Sequence, residues 1–551
     1  AGLAYLCPVA DEVSPELVQQ LLGRRPRAAL PGIVGPADDP PQPASMVTKL
    51  DDLPYPDFTA YFDRAERSPL HEELRCRMLM ETSRGCWWGE KHHCTFCGLN
   101  GMGMRFRSKS SERALEEITA LNAKYGHRVD PDFAIYLTDN ILDMRYLATL
   151  LPALRDTGLG VSLFYETKAN LNRDQVRLLA ECGVRVIQPG IESLHTGLLR
   201  LMRKGCTASQ NIQLLKWCRE FRVRPLWNVL FGFPGEDPAW FQEQVGTIGK
   251  LVHLDPPNGV SPVRLDRFSP YFMEPEAHGI SRIRPAPALS HVYPLPEEEI
   301  AGLAYHFDFD FDDGREPTQY IGPLAKAVRE WQAVEGERFF CAIPWRDQLV
   351  LWDGRQGGAD VVHVLPEGRR KIYEHCDRIR GREELTSYAQ REAGITEREA
   401  AQLVEEWLAA DLLFGEQETL LGLAVTVAGA VESRTDLRGA VAGRGETSRD
   451  REVLNGRSGQ RPLRDRRSRW NRITEDEVIV LDGNRERLQI LEGLASRVWN
   501  RCDGVRTVAS IAQEFAATGA GSAESAQRDT ERVIDYFAEQ GLLDRTAATA
   551  G

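Results

Sequence analysis

Between residues 77 and 272 the chain alternates short apolar runs with amphipathic stretches, and this alternation restricts the fold more than any other feature. The apolar runs are RMLMETS (77–83), FAIYLT (133–138), VSLFYE (161–166), VRVIQPG (184–190), PLWNVLF (225–231) and VRLDRF (263–268). Between them lie SERALEEITALNAKYG, MRYLATLLPALRDTG, RDQVRLLAECG and SQNIQLLKWCREF, whose apolar residues recur at helical spacing. Six strand–helix units predict a parallel α/β sheet, which right-handed crossovers curl into a full or partial barrel. Chemistry in such folds sits at the C-terminal ends of the strands.

Composition narrows the function. With 551 residues, 42% of them hydrophobic, the chain has material for two to four cored domains. A net charge of -13 argues against a general nucleic-acid binder, which needs a basic face to displace counterions. No run of about eighteen apolar residues and no charged-then-apolar leader is present, so a cytoplasmic protein without membrane attachment is expected. Eleven cysteines, an odd number, do not form a disulfide framework, and metal or redox use is the better reading of any cluster among them.

One such cluster follows the first strand. RGCWWGEKHHCTFCGLN (84–100) places Cys86, Cys94 and Cys97 in a C-x7-C-x2-C pattern where a catalytic loop belongs. Closed electron-transfer clusters take four thiolates; three leave one iron open to a small molecule. The alternatives are a zinc site of the three cysteines with His92 or His93, or a chance grouping of buried cysteines.

With the cysteine loop at this position, residues 75–275 resemble the radical S-adenosylmethionine (radical SAM) superfamily. The resemblance implies a partial (β/α)6 barrel, a 4Fe-4S cluster whose open iron chelates SAM, and reductive cleavage of SAM to a 5'-deoxyadenosyl radical. Most members have C-x3-C-x2-C; the longer spacing here, with IQPGIESLHTGLLRLMRKG, WNVLFGFPGE and VRLDRFSPYF, is similar to the cobalamin-associated proteins that mature ribosomally made peptides, often as C-methyltransferases. The same resemblance implies that Phe96 packs near the adenine and that Thr138, Asp139 and Asn140 meet the SAM amino group. It places Glu166 on the ribose hydroxyls, Lys168 on the SAM carboxylate, and Gln188, Gly190 and Glu192 at the fourth strand end of the SAM site. The bland alternatives are loop packing for Phe96, a plain Glu166–Lys168 ion pair and a helix cap for Glu192. Tyr271 is either substrate-facing or a half-buried structural tyrosine, and FGFPGE (231–236) is expected to shape the barrel top.

The C-terminal half repeats itself. LVLWDGR (349–355) matches VIVLDGN (478–484), IYEHCD (372–377) matches VWNRCD (498–503), and AADLLF (409–414) matches AEQGLL (538–543), in the same order and at near-constant offset. Two small winged-helix-like α+β modules are expected, at 345–427 and 468–551. The second resembles PqqD-like domains, which bind leader peptides; DNA binding is its structural rival, with the basic RDRRSRW (464–470) just upstream. The Gly-, Arg- and Ser-rich residues 428–467 read as a flexible linker. The barrel is expected at 71–280 with an extension at 281–344. Residues 1–70, which begin with Ala and contain SPELVQQLLG, are expected to be a linker and a remnant, possible tail of a cobalamin-binding domain otherwise missing; no D-x-H-x-x-G signature occurs.

The expected function is radical SAM modification of a precursor peptide with a leader, by C-methylation of an unactivated carbon, with cobalamin if its domain is supplied. Flavodoxin or ferredoxin is the expected electron donor. Epimerisation, thioether crosslinking, or a non-catalytic peptide- or DNA-binding scaffold with a structural metal cluster are the alternatives.

Overall fold

The computed structural model describes residues 19, 20, 24, 47–98, 104–358, 360–427, 432–434, 460–465, 468–474, 476–481, 488–517 and 522–544. Most of SPELVQQLLG and of the expected linker lies outside these residues. The chain divides into two compact units. One holds the described residues up to Glu337 with His375–Leu385 and Ala401–Leu423; the other holds Arg338–Glu374, Thr386–Ala400 and the described residues from Ala424 onward.

The first unit contains the expected parallel sheet. Met78–Met80, Ile135–Leu137, Leu163–Glu166, Val184–Gln188 and Arg224–Pro225 pair in chain order, all parallel. Leu226 and Trp227 then interrupt the ladder, and Asn228–Phe231 pairs instead with Gly259–Pro262. The expected last strand, 263–268, is a different element: only Leu265–Asp266 is strand, and it pairs antiparallel with His306–Phe311. The barrel is therefore partial and open. Helix starts follow their caps. Asn172 and Gln175 form a capping box before Arg173–Glu181, and Thr207 and Gln210 form another before Ala208–Phe221. Ser110 caps Ser111–Tyr125 through the Arg113 amide.

The repeat is real in three dimensions, but its two copies are used differently. Each is a three-stranded antiparallel meander followed by three helices. The first has strands Phe340–Trp345, Gln348–Asp353 and Val361–Leu365 with helices Glu367–His375, Arg382–Ala393 and Glu397–Ala409. The second has Arg469–Thr474, Glu477–Leu481 and Leu488–Glu492 with Gly493–Trp499, Val508–Ala517 and Ala523–Glu539. The boundary between units runs through the first copy, which was expected to be one module. Its hairpin Leu413–Glu416/Thr419–Gly422 is fixed to the barrel, because Glu416 accepts hydrogen bonds from the Ser209 amide (3.0 Å) and the Ser209 hydroxyl (2.7 Å). Its strands instead share a core with the second copy: Ile343, Trp345, Val350 and Trp352 pack with Ile479 and Ile490.

Within 428–467, some of the described residues are ordered. Glu432–Arg434 is a strand paired in parallel with Leu488–Glu492, at the edge of the second copy's sheet. Residues 460–465 join the body of that copy, with bridges Leu463 to Asp503 and Arg464 to Leu543, and the Arg464 guanidinium lies 4.6 Å from the centre of the Trp470 ring.

Candidate functional site

The first strand delivers the chain to the edge of the sheet, where Asp139 catches it. Asp139 is fully buried, and its carboxylate accepts from the Thr82 amide (2.6 Å), the Ser83 amide (2.9 Å) and the Thr82 hydroxyl. These hydrogen bonds hold the start of the cysteine loop. Burial pushes its pKa up to about 6, against those hydrogen bonds. Thr138, beside it, is exposed, with its amide on the Met80 carbonyl at 2.8 Å; Asn140 is half-buried.

The extra residues of the cysteine spacing form a short helix, Trp87–Lys91, with the Cys86 thiol accepting from the Gly89 amide at 3.3 Å. Its two tryptophans fix the loop. The Trp87 indole donates to the Leu142 carbonyl (3.0 Å), and that of Trp88 donates to the Arg203 carbonyl (3.2 Å). A Cβ at Gly205 would lie 2.2 Å from the Trp88 ring, so only glycine permits this approach. Thr95 is bound at its amide to Met202 and at its hydroxyl to Leu201, both 3.1 Å.

Cys86, Cys94 and Cys97 form no disulfide and are half-buried. Among the described residues, no group of three His, Cys, Asp or Glu side chains stands close enough to hold one metal ion. A four-iron cluster takes each thiolate on a separate iron. The histidines are engaged elsewhere: the His93 ring nitrogen Nε2 lies 2.7 Å from the Cys97 carbonyl, and the His92 ring lies against Trp88 at 4.2 Å.

The third and fourth strand ends bring Glu166, Gly190 and Glu192 together with a residue the sequence reading missed, Lys204. Lys204 Nζ lies 3.4 Å from Glu192 Oε1 and 5.9 Å from the centre of the Phe96 ring. A Cβ at Gly190, where φ is +57°, would lie 2.8 Å from that ammonium. Glu192 itself is left-handed, with φ of 56°. Burial pulls the Lys204 pKa down, but Glu192 and the nearby Cys94 outweigh it and leave the group firmly cationic. Lys168 has the opposite balance. Burial lowers it to about 8, and its ammonium donates to the Lys204 carbonyl while lying 3.4 Å from the centre of the Trp88 ring. Those contacts brace the loop. Burial, with Asp139 and Glu192 nearby, raises Glu166 to about 7. Gln188 is exposed at its strand end. Phe96 packs edge-on against Phe233 at 5.8 Å. Tyr271 is 2% exposed, with its amide on the Thr95 carbonyl, so it takes the structural reading and not the substrate-facing one. Glu236 closes the FGFPGE turn by accepting from the Gly232 and Phe233 amides.

Two family models match the chain. Residues 80–245 match the radical SAM superfamily and residues 477–543 match coenzyme PQQ synthesis protein D. Residues 80–245 are thus similar to radical SAM proteins, and residues 477–543 to PqqD proteins. A radical SAM domain implies a 4Fe-4S cluster and SAM, and the three thiols and open strand ends fit both. A curated relative, the uncharacterized methyltransferase PH0819 of Pyrococcus horikoshii, is 27% identical over 205 residues, 36% of this chain and 41% of the relative. The chain thus spans less than half the length of this relative. Among solved structures, the radical SAM methyltransferase TsrM of Kitasatospora setae, with tryptophan and a SAM analogue bound, aligns at 17% identity and a TM-score of 0.42, over 60% of this chain and 67% of TsrM. The cobalamin-dependent radical enzyme OxsB aligns at 16% identity and a TM-score of 0.37, over 60% of this chain and 45% of OxsB.

Lys204 left a weak trace in the sequence. It lies in LMRKG, after the helix that follows IQPGIES, where nothing in the spacing says that the chain turns back to the strand end.

Proposed function

We propose that this chain modifies a ribosomally made precursor peptide by methylating an unactivated carbon, with the leader held by the PqqD domain. The observation that carries the reading is the presence, in one chain, of a three-thiol loop at the strand C-termini and a PqqD domain. A leader-binding module beside a radical SAM domain makes sense when the substrate is a peptide too small to supply affinity at the reacting residue. The relative named as a methyltransferase supports methyl transfer over epimerisation or crosslinking. Cobalamin is the proposed methyl carrier.

The cluster, when bound, supplies the electron that cleaves SAM. Cys86, Cys94 and Cys97 would hold it. Lys204 is the cation proposed for the SAM carboxylate, Glu166 the acceptor for the ribose hydroxyls, and Phe96 the adenine contact. Thr138, Asn140, Gln188, Gly190 and Glu192 would line the rest of the SAM site, with Glu192 orienting Lys204. An exogenous flavodoxin or ferredoxin is proposed as the reductant. No helix among the described residues is long and apolar enough to cross a membrane.

Co-expression with a precursor peptide, followed by mass spectrometry, tests the reading. Methylation adds one CH2 unit per event, a thioether crosslink removes two hydrogens, and epimerisation leaves the mass unchanged. An unchanged mass together with no D-residue after acid hydrolysis, in the presence of active SAM cleavage, overturns the peptide assignment.

A further inference from the structure

A cavity of about 490 Å³ opens where strands Asn228–Phe231 and Gly259–Pro262 end, against Ile280–Pro285 and His306–Phe311. That volume lies in the range of small-molecule sites. Phe231, Val263, Phe307, Phe309 and Phe311 form apolar walls, and Arg264, Arg284, His306 and Asp308 add polar groups. The lining includes none of the residues expected to hold SAM.

Two of its walls nevertheless reach the cysteine loop. Gly232 in the lining precedes Phe233, whose ring meets Phe96 edge-on, between Cys94 and Cys97. On the other side, the His306 ring nitrogen Nδ1 lies 2.8 Å from Asp266 Oδ1. Asp266 abuts the loop: a Cβ at Gly98, the residue after Cys97, would lie 2.7 Å from Asp266 Cβ.

The charges in the wall are balanced, which disfavours a purely anionic ligand. Arg284 pairs with Asp310 at 3.0 Å, and Arg264 lies 3.7 Å from Asp266. Four phenylalanines and two guanidinium groups favour an aromatic ring, which gains edge-to-face and cation–π contacts beyond its buried area. Resting on the peptide-modification reading above, we propose that this cavity receives an aromatic side chain of the substrate peptide. The main chain beside it then runs toward the cluster loop, and Arg264 donates to a peptide carbonyl.

The test uses the cluster-loaded full chain and two probes, N-acetyl-phenylalanine amide and N-acetyl-alanine amide, followed by ligand-observed NMR. The phenyl probe is expected to bind at least about tenfold more tightly, from the extra apolar area. Its ring protons should relax faster with the cluster loaded than without. Thr318, exposed at the cavity rim, gives the blocking variant: Thr318→Trp should abolish the preference. Phe309→Ala, which widens the cavity, should reduce it. Equal binding of the two probes, or a preference that survives both substitutions, overturns the proposal. SAM cleavage measured on the same samples separates the readings: its loss in the unaltered protein strikes the enzyme assignment, whereas its persistence without aromatic preference strikes the cavity alone.

Discussion

In the cysteine loop, three thiols are held by a few specific contacts: Trp87 to Leu142, Trp88 to Arg203, and Thr95 to Leu201 and Met202. In the C-terminal unit the corresponding work is spread over two packed sheets. Glu477–Leu481 has one face, Val478 and Val480, on its own helices, and Ile479 on the other face meets the first copy's Trp345 and Trp352. A loop of this kind concentrates function in single atoms, so point changes should abolish chemistry without unfolding the protein. A doubly buried sheet distributes stability, so point changes should cost folding energy without touching chemistry.

The largest expected effect is on the loop. Cys94→Ala should abolish both cluster assembly and SAM cleavage, since a site with one open iron cannot lose a second ligand. Visible absorbance after anaerobic reconstitution and 5'-deoxyadenosine assay are the readouts, and the far-ultraviolet circular dichroism should match the unaltered protein. Retained 5'-deoxyadenosine formation would break the comparison at its root. Cys218 is the control: it is buried in helix Ala208–Phe221, and Cys218→Ser should leave SAM cleavage intact.

Next is the sheet pair. Trp352 is fully buried in the shared core, and Trp352→Ala should destabilise the C-terminal unit by about 3–5 kcal/mol. Urea unfolding measures the loss, and SAM cleavage per intact cluster should not change. Removing 468–551 should be harsher still, because it strips Ile479 and Ile490 from the Trp345 and Trp352 face. A truncated chain with undiminished stability would show that the shared core contributes nothing.

The same contrast explains what the sequence disclosed. The alternation of strand and helix marks the first four parallel strands, and the cysteine spacing marks the loop, because both are local patterns; the fifth run, 225–231, splits into Arg224–Pro225 in the sheet and Asn228–Phe231 outside it. The last strand was misplaced: the ladder breaks at Leu226–Trp227, and VRLDRF joins an antiparallel sheet whose partner, His306–Phe311, lies far along the chain. Asp139 and Lys168 stand at strand ends, where the resemblance puts SAM contacts, and their partners in the fold, Thr82 and the Lys204 carbonyl, are visible only in three dimensions. The shared core did leave a signal. LVLW and VIVL are continuous apolar runs and not alternating ones, the mark of a strand buried on both faces.

A smaller effect follows from Glu166, whose pKa of about 7 lies above its ordinary value of 4.5. The native state then holds this proton more tightly than the unfolded chain does. Stability is lost as pH rises from about 4.5 to about 7, and the cost stays constant above that. Glu166→Gln removes the charge, so the SAM-free variant should be more stable than its parent at pH 8 by about 1–3 kcal/mol. Thermal unfolding at pH 8 and pH 4.5 checks this: the two proteins should converge at the lower pH, and a gap of equal size at both would rule out ionisation as the cause.

The smallest effect sharpens the comparison where recognition is proposed to occur. A leader that adds as a strand needs a free sheet edge, and Glu432–Arg434 already pairs with one, with Ser433 opposite Ile490. A leader that uses the Leu488–Glu492 edge must displace this strand first, and the lost pairing lowers its apparent affinity. Ser433→Pro fixes φ near −65° and removes a backbone donor, which weakens the resident strand by about one hydrogen bond, or about 1 kcal/mol. Leader affinity measured by fluorescence anisotropy should then rise about fivefold, with SAM cleavage unchanged. An unaltered affinity would assign the leader to the opposite edge, Arg469–Thr474, where Glu432–Arg434 does not compete.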